Sequence, residues 1–180
     1  IMTPAYYNPV KIIDSDNWFD SWHKVRDELG ISKPLVITFK ENVRRLKLDE
    51  ICAPAGMFTA VVNNPTFDSC QAAIDYGSKD SFDCVIAIGG GSVMDTAKAV
   101  IAALGTGIQN LSDLLNYRDS FPQPIPTVFI PTTHGTSSEV TMWATIWNPA
   151  ENKKYSLSHP DLYPTYAILD GALTLTLPLD

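Results

Sequence analysis

Continuous apolar runs alternating with stretches of helical spacing set the hydrophobic pattern of this chain. PLVITF (34–39), FTAVVNN (58–64), CVIAI (84–88) and PTVFIPTT (126–133) carry little polar alternation, which is the mark of strands covered on both faces. Between them lie helical stretches. Trp18, Phe19, Trp22, Val25 and Leu29 recur at helical intervals, with Asp14 or Ser15 as candidate caps and Gly30 as the stop. Further helices are predicted over 41–53, over 66–77 with Phe67, Cys70, Ile74 and Gly77 on one side, over 92–104, and as a short piece near 110–116. Strands that alternate with helices imply right-handed crossovers and a mainly parallel, doubly wound α/β sheet with helices on both faces.

The pattern changes beyond residue 139. VTMWATIW (140–147) and KKYSLSH (153–159) flank the turn-rich NPAEN, which predicts a β-hairpin over about 140–159 appended to the sheet. TYAILD (165–170) predicts a last strand, and residues 171–180 look like the approach to another element. The α/β domain is therefore expected over 1–170.

Composition narrows the partners. The 180 residues are 45% hydrophobic and 18% charged, with a net charge of -7, so a folded domain is expected. An acidic chain without a basic block is a poor binder of nucleic acid or anionic membrane. No apolar run reaches the ~20 residues of a membrane span, and no secretory signal is visible at the start, so a cytoplasmic location is expected. Cys52, Cys70 and Cys84 are too widely spaced for a CxxC site and read as core residues.

Two segments carry candidate chemistry. In VIAIGGGSVMDTAKAV (85–100) a buried strand runs through Gly89, Gly90 and Gly91 into a helix, with Ser92 as its candidate cap and Asp95 following. Bare backbone there would let a phosphate reach main-chain amides at the positive end of a helix dipole. The spacing is not GxGxxG, because Met94 occupies the third glycine position, and no GxxxxGK[ST] occurs. A tight turn that needs glycine only for its backbone freedom is the competing explanation. PTTHGTSSEVT (131–141) follows the next strand, hence lies on the same sheet edge, and offers hydroxyls from Thr132, Thr133 and Thr136. His134, Ser137 and Glu139 sit too close along one loop to favour a hydrolytic triad.

These two segments, in this order, resemble the iron-containing (group III metal-dependent) alcohol dehydrogenase family, and the likeness extends from Asn64-Pro65 to LYPTYAILDGALTLTLP (162–178). ATIWNPAENKKYSLSHPDLYP (144–164) is most similar to the branch that reduces phosphonoacetaldehyde to 2-hydroxyethylphosphonate. The resemblance implies an NAD(P)-dependent reduction of a small aldehyde, in which Gly90, Gly91 and Ser92 hold the pyrophosphate and Asp95 faces nicotinamide and substrate. Thr132, Thr133 and Thr136 would line the ribose sides, and Lys154 would reach a ribose or phosphate oxygen, unless it is a solvated hairpin lysine. It also implies a homodimer and a divalent iron or zinc held by one Asp and three His on a helical second domain. None of His23, His134 and His159 falls on a ligand position of that pattern, so the metal and the catalytic groups are expected outside this chain. Many members close the first strand with an Asp that holds the adenosine ribose. Here Phe39 stands in its place, with Lys40, Arg44 and Arg45 nearby, which favours NADP over NAD. Two other readings stay open: a non-catalytic nucleotide- or phosphate-binding module, and an enzyme of the glycerol-1-phosphate dehydrogenase or dehydroquinate synthase group, which shares the GGGS turn.

Overall fold

The computed structural model describes residues 8–175. Six strands form one wholly parallel sheet: β1 (Lys11–Asp14), β2 (Pro34–Thr38), β3 (Gly56–Phe58), β4 (Cys84–Gly89), β5 (Thr127–Pro131) and β8 (Tyr166–Leu169), in the spatial order β1-β8-β5-β4-β2-β3. β6 (Trp143–Asn148) and β7 (Lys153–Ser158) form the separate antiparallel hairpin, in register Trp147 to Lys154. The doubly wound sheet with its hairpin appendage is the architecture the apolar runs predict.

Helices cover both faces. Alternate strand residues separate the two cores: Leu35, Ile37, Val85, Ala87 and Phe129 pack beneath α4 (Phe67–Gly77), α5 (Gly91–Thr106) and α6 (Leu111–Leu114). Val36, Ile86, Ile88, Val128 and Ile130 pack beneath α1 (Trp18–Leu29) and α3 (Leu48–Cys52). Because both faces are covered, β2, β4 and β5 are buried at every position, which is why they read as unbroken apolar runs. Cys52, Cys70 and Cys84 are free and buried; burial pushes the Cys52 and Cys70 thiols up to about 12.

The structure corrects several expectations. The predicted helix over 41–53 is two helices, α2 (Lys40–Arg45) and α3, separated where Lys47 takes a left-handed conformation at φ 51°. The second strand occupies Gly56–Phe58 rather than 58–64, because only that segment pairs with Leu35–Ile37. β1 has no counterpart among the predicted strands; its residues are mostly exposed and it is defined by pairing with β8. Neither Asp14 nor Ser15 caps α1. Its N-cap is Asn17, and the Trp18 amide donates instead to Asp170 Oδ2 (2.9 Å) from the end of β8. Gly30 closes α1 at φ 64° as predicted. At the other end of the sequence, residues 176–180 of the predicted connection lie outside the described residues.

The strand order reverses direction between β2 and β4. From β2 the chain moves outward to β3, then crosses back to β4 and proceeds through β5 to β8 on the other side. The helices after β2 and β4 therefore leave the sheet on opposite faces and open a crevice at the C-terminal edge.

Trp22 fills the second core beneath α1 and is fully buried. Trp22→Ala is expected to cost about 3–5 kcal/mol of unfolding free energy, read from urea denaturation; a loss below about 1 kcal/mol would mean that this core closes without it.

Candidate functional site

At the crevice, Thr38 Oγ1 donates to the Ile88 carbonyl (2.7 Å), and Asn42 Nδ2 donates to Thr38 Oγ1 (3.1 Å). Arg45 in turn donates to Asn42 Oδ1 (2.8 Å). This chain of bonds fixes the start of α2 against the ends of β2 and β4.

On the opposite lip, β4 runs through Gly89 into α5, whose N-cap is Gly90. The expected Ser92 cap is not formed. Ser92 lies inside the first turn and its hydroxyl accepts the Asn64 amide (3.1 Å), tying down the Asn64-Pro65 segment. Gly91 and Ser92 hold the first two positions of the helix, where amides have no intrahelical partner and point outward. The dipole of a 16-residue helix ends there.

Each glycine also admits a neighbour. A Cβ at Gly89 would come within 2.5 Å of Val93 Cγ2, one at Gly90 within 3.0 Å of Thr133 Oγ1, and one at Gly91 within 3.0 Å of Thr136 Cγ2. The threonine loop thus packs directly against the glycine turn, and the Thr132 amide donates to the Gly89 carbonyl (3.0 Å). The two segments lie on one edge, as their sequence order predicts. Packing alone accounts for three glycines, so their number does not by itself argue for a ligand.

Two cavities flank this contact. One, about 360 Å³, extends toward Phe39 and Asn42 and is bordered by Gly90, Thr132 and Thr133. The other, about 340 Å³, opens between α5, the threonine loop and the hairpin; Asp95, Thr136, Trp143 and Lys154 line it. Gly91 and Ser92 border both, so the outward amides stand where the cavities meet. The structure thereby gathers all the sequence-predicted site residues except two: Gly89 is buried behind the turn, and Lys40 is exposed at the start of α2, outside both linings. No Asp or Glu lines the Phe39 cavity among the described residues.

Asp95 borders the second cavity with both carboxylate oxygens engaged. Oδ1 accepts from the Ser138 hydroxyl (3.2 Å) and Oδ2 from the Thr145 amide (3.2 Å). One turn on, Lys98 is fully buried, and sequence reasoning passed over it because an isolated lysine ordinarily reads as solvated. The available signal was its place within the apolar VMDTAKAVIAAL. Burial holds the Asp95 carboxyl above its usual range, opposed by the Thr145 amide, the Lys98 charge and the Ser138 hydroxyl. Burial likewise pushes the Lys98 ammonium down to about 8, opposed by Asp95 and Glu139.

Among the described residues no three His, Cys, Asp or Glu side chains group as metal ligands. His23 lies on α1 and His134 is exposed on the threonine loop. His159 stacks on Phe121 with ring centroids 4.4 Å apart; its Nδ1 accepts the Asp161 amide and its Nε2 meets the Asp119 carbonyl. This donor set does not fit an iron or zinc ion. No hydrogen bond joins His134, Ser137 and Glu139 among the described residues.

A crevice at a strand-order reversal, edged by a glycine turn at a helix N-terminus, defines the class of doubly wound α/β domains that bind ligands at their switch point. The family model for iron-containing alcohol dehydrogenases matches residues 9–171, and the chain belongs to that family. A long-chain primary alcohol dehydrogenase of Thermoanaerobacter ethanolicus is 31% identical over 156 residues, covering 82% of this chain and 39% of the relative. Choline dehydrogenase of Bacillus subtilis is 30% identical over 164 residues, covering 83% and 40%. Among solved structures, sulfoacetaldehyde reductase from Bifidobacterium kashiwanohense in complex with NAD+ superposes with a TM-score of 0.87 at 26% identity, over 98% of this chain and 48% of that one. An iron-containing alcohol dehydrogenase from Thermotoga maritima gives 0.80 at 30% identity, over 96% and 49%. The chain thus spans 39% to 49% of the length of these relatives. No described helix is long and apolar enough to cross a membrane.

The buried lysine gives a signed pH prediction. Lys98 keeps its proton to the ordinary lysine value of 10.5 when unfolded but only to about 8 when folded. Between those values the unfolded chain binds more protons, so stability gains with rising pH, and below about 8 the penalty of the buried charge is felt in full. The unfolding free energy of the wild-type chain relative to Lys98→Met is expected to improve by about 2 kcal/mol from pH 7 to pH 10. A pH-independent difference between the two urea midpoints would contradict the lowered value.

Proposed function

We propose that this chain is the cofactor-binding half of an NAD(P)-dependent alcohol dehydrogenase that interconverts a small aldehyde and its alcohol by hydride transfer. The observation that carries the reading is the junction at Gly91 and Ser92: two cavities of ligand size share two outward amides at a helix N-terminus. A ligand with a diphosphate at its centre and a nucleoside-like group at each end matches that layout.

In this reading Gly90, Gly91 and Ser92 receive the pyrophosphate. The adenosine lies in the Phe39 cavity beside Thr132 and Thr133, and the nicotinamide ribose lies in the hairpin cavity near Thr136 and Lys154. Asp95 holds the inner edge of that cavity. NADP is favoured over NAD, because among the described residues no carboxylate faces the Phe39 cavity to repel a 2′-phosphate and Arg45 borders it, with Lys40 on the adjoining turn. The domain spans 1–170. Residues 171–180 would lead toward a helical domain, which the greater length of the relatives supports; that domain would hold the iron or zinc, which would polarise the carbonyl.

A short anionic aldehyde is the proposed substrate, phosphonoacetaldehyde being the candidate from the sequence resemblance. The cation at Lys154 and the likeness to a sulfoacetaldehyde reductase support that class. A cytoplasmic homodimer belongs to the same reading.

Trp143 and Trp147 line the hairpin cavity, so tryptophan fluorescence reports its occupancy. NADPH is expected to quench at lower concentration than NADH, and ATP only at much higher concentration. Binding of ATP as tight as that of either dinucleotide would favour the non-catalytic nucleotide-binding module instead. Gly91→Val places side-chain atoms at the junction and against Thr136. It is expected to weaken NADPH at least ~10-fold with the fold retained by circular dichroism; unchanged affinity would remove the junction from the site.

A further inference from the structure

Lys98 lies on α5, otherwise apolar around its middle turns, and its side chain is fully shielded from solvent. Its Nζ donates to the Ser138 carbonyl (2.8 Å), Ser138 Oγ (3.1 Å), Thr141 Oγ1 (2.9 Å) and the Trp143 carbonyl (2.9 Å). Three protons serve four acceptors, so one proton is shared. The acceptors come from the end of the threonine loop, the segment that follows it and the first residue of β6. Asp95 continues the set by accepting from Ser138 Oγ and the Thr145 amide. An apolar side chain is ordinarily the less costly occupant of such a position, since a buried charge persists only where its hydrogen bonds are made. What the ammonium adds is direction: it draws the continuous stretch from Ser138 to Trp143, which links the threonine loop to β6, onto one point of α5.

The glycine turn has its own support. It is fixed by β4, by the Thr132 amide on the Gly89 carbonyl and by the Thr133 contact, none of which involves Lys98. The hairpin is not part of the main sheet. Its inner wall meets α5 through Ala144 and Ile146 in the core, through Asp95 and through Lys98. It meets the Asn64-Pro65 segment through the Trp147 amide on the Pro65 carbonyl (2.8 Å).

We propose that Lys98 is the positioning residue for one half of the cleft: it sets the distance between α5 and the hairpin wall that carries Trp143, Thr145 and Lys154, while leaving the glycine-turn half independent. This rests on the cofactor reading above, in which the nicotinamide end of the dinucleotide occupies the hairpin half and the adenosine diphosphate end the other. Lys98 touches no cofactor atom in this role; it acts through the wall it holds.

The test separates the two halves by ligand. Isothermal titration of the full chain with NADH and with ADP is compared for wild type, Lys98→Met and Lys98→Arg. In Lys98→Met the NADH dissociation constant is expected to rise at least ~10-fold, because buried acceptors lose their charged donor and the wall relaxes, while the ADP constant stays within about twofold. Lys98→Arg keeps the charge but not the compact ammonium that four acceptors converge on, and is expected to leave NADH weakened by at least about threefold with ADP unchanged; wild-type NADH affinity in Lys98→Arg overturns the positioning role. A role in stability alone would move the melting temperature of Lys98→Met and weaken both ligands together, or neither, and either result overturns the proposal. If Lys98→Met does not fold, Lys98→Gln decides, with about threefold loss for NADH and none for ADP; equal effects on the two overturn it. A wild-type chain that binds neither NADH nor NADPH overturns the cofactor reading itself and this inference with it.

Discussion

The close approach of the threonine loop to the first turn of α5 is the constraint from which the cleft follows. Gly90 and Gly91 let Thr133 and Thr136 come within 3.0 Å of where side chains would begin, and Gly89 does the same for Val93. Any larger residue would push the loop off the turn or shift the helix start. The same bareness keeps the Gly91 and Ser92 amides open at the junction of the two cavities. The packing and the proposed ligand therefore make one demand on the sequence, and GGGS is compatible with both.

Electrostatics favour an anion at this junction despite the chain's net charge of -7. Asp95, the carboxylate that lines the hairpin cavity, has its oxygens committed to Ser138 and Thr145, and the buried Lys98 charge stands one turn away. Lys154 enters the cavity from β7, paired across the hairpin with Trp147. The positive end of α5 adds to these. Local field and overall charge thus differ in sign, which is why the acidic composition argues against polyanions in general without arguing against a single diphosphate.

What the sequence made legible is what burial on both faces writes into it. β2, β4 and β5 are covered above and below, so their apolar runs marked them nearly to the residue, whereas the reversal between β2 and β4 is set by strand pairing that no run announces. β1 escaped notice because an edge strand exposed along most of its length carries no apolar run; its place comes from hydrogen bonding to β8, 155 residues later in the chain. The break at Lys47 is a backbone conformation that lysine composition does not announce. Ser92 had the chemistry of a cap and was claimed by Asn64, a partner that only the fold brings near. Lys98 was hidden for the opposite reason: its acceptors lie 40 to 45 residues away on segments whose own pattern says nothing of a cation.

The two halves of the cleft are therefore built by different means. The glycine turn is a product of the parallel sheet: its position follows from β4, and strand pairing on both sides fixes it to within the tolerance of a hydrogen bond. The hairpin belongs to no large sheet, and a two-stranded ribbon is marginal by itself. It gains its orientation from packing Ala144, Ile146 and Leu157 into the core and from polar anchors on α5. Sheet-built geometry is hard to vary without unfolding the domain, whereas an anchored ribbon can change its exposed residues while its anchors stay. On the proposed cofactor reading the phosphate end is thereby the rigid end, and the hairpin end is where relatives named for different alcohols and aldehydes have physical room to differ.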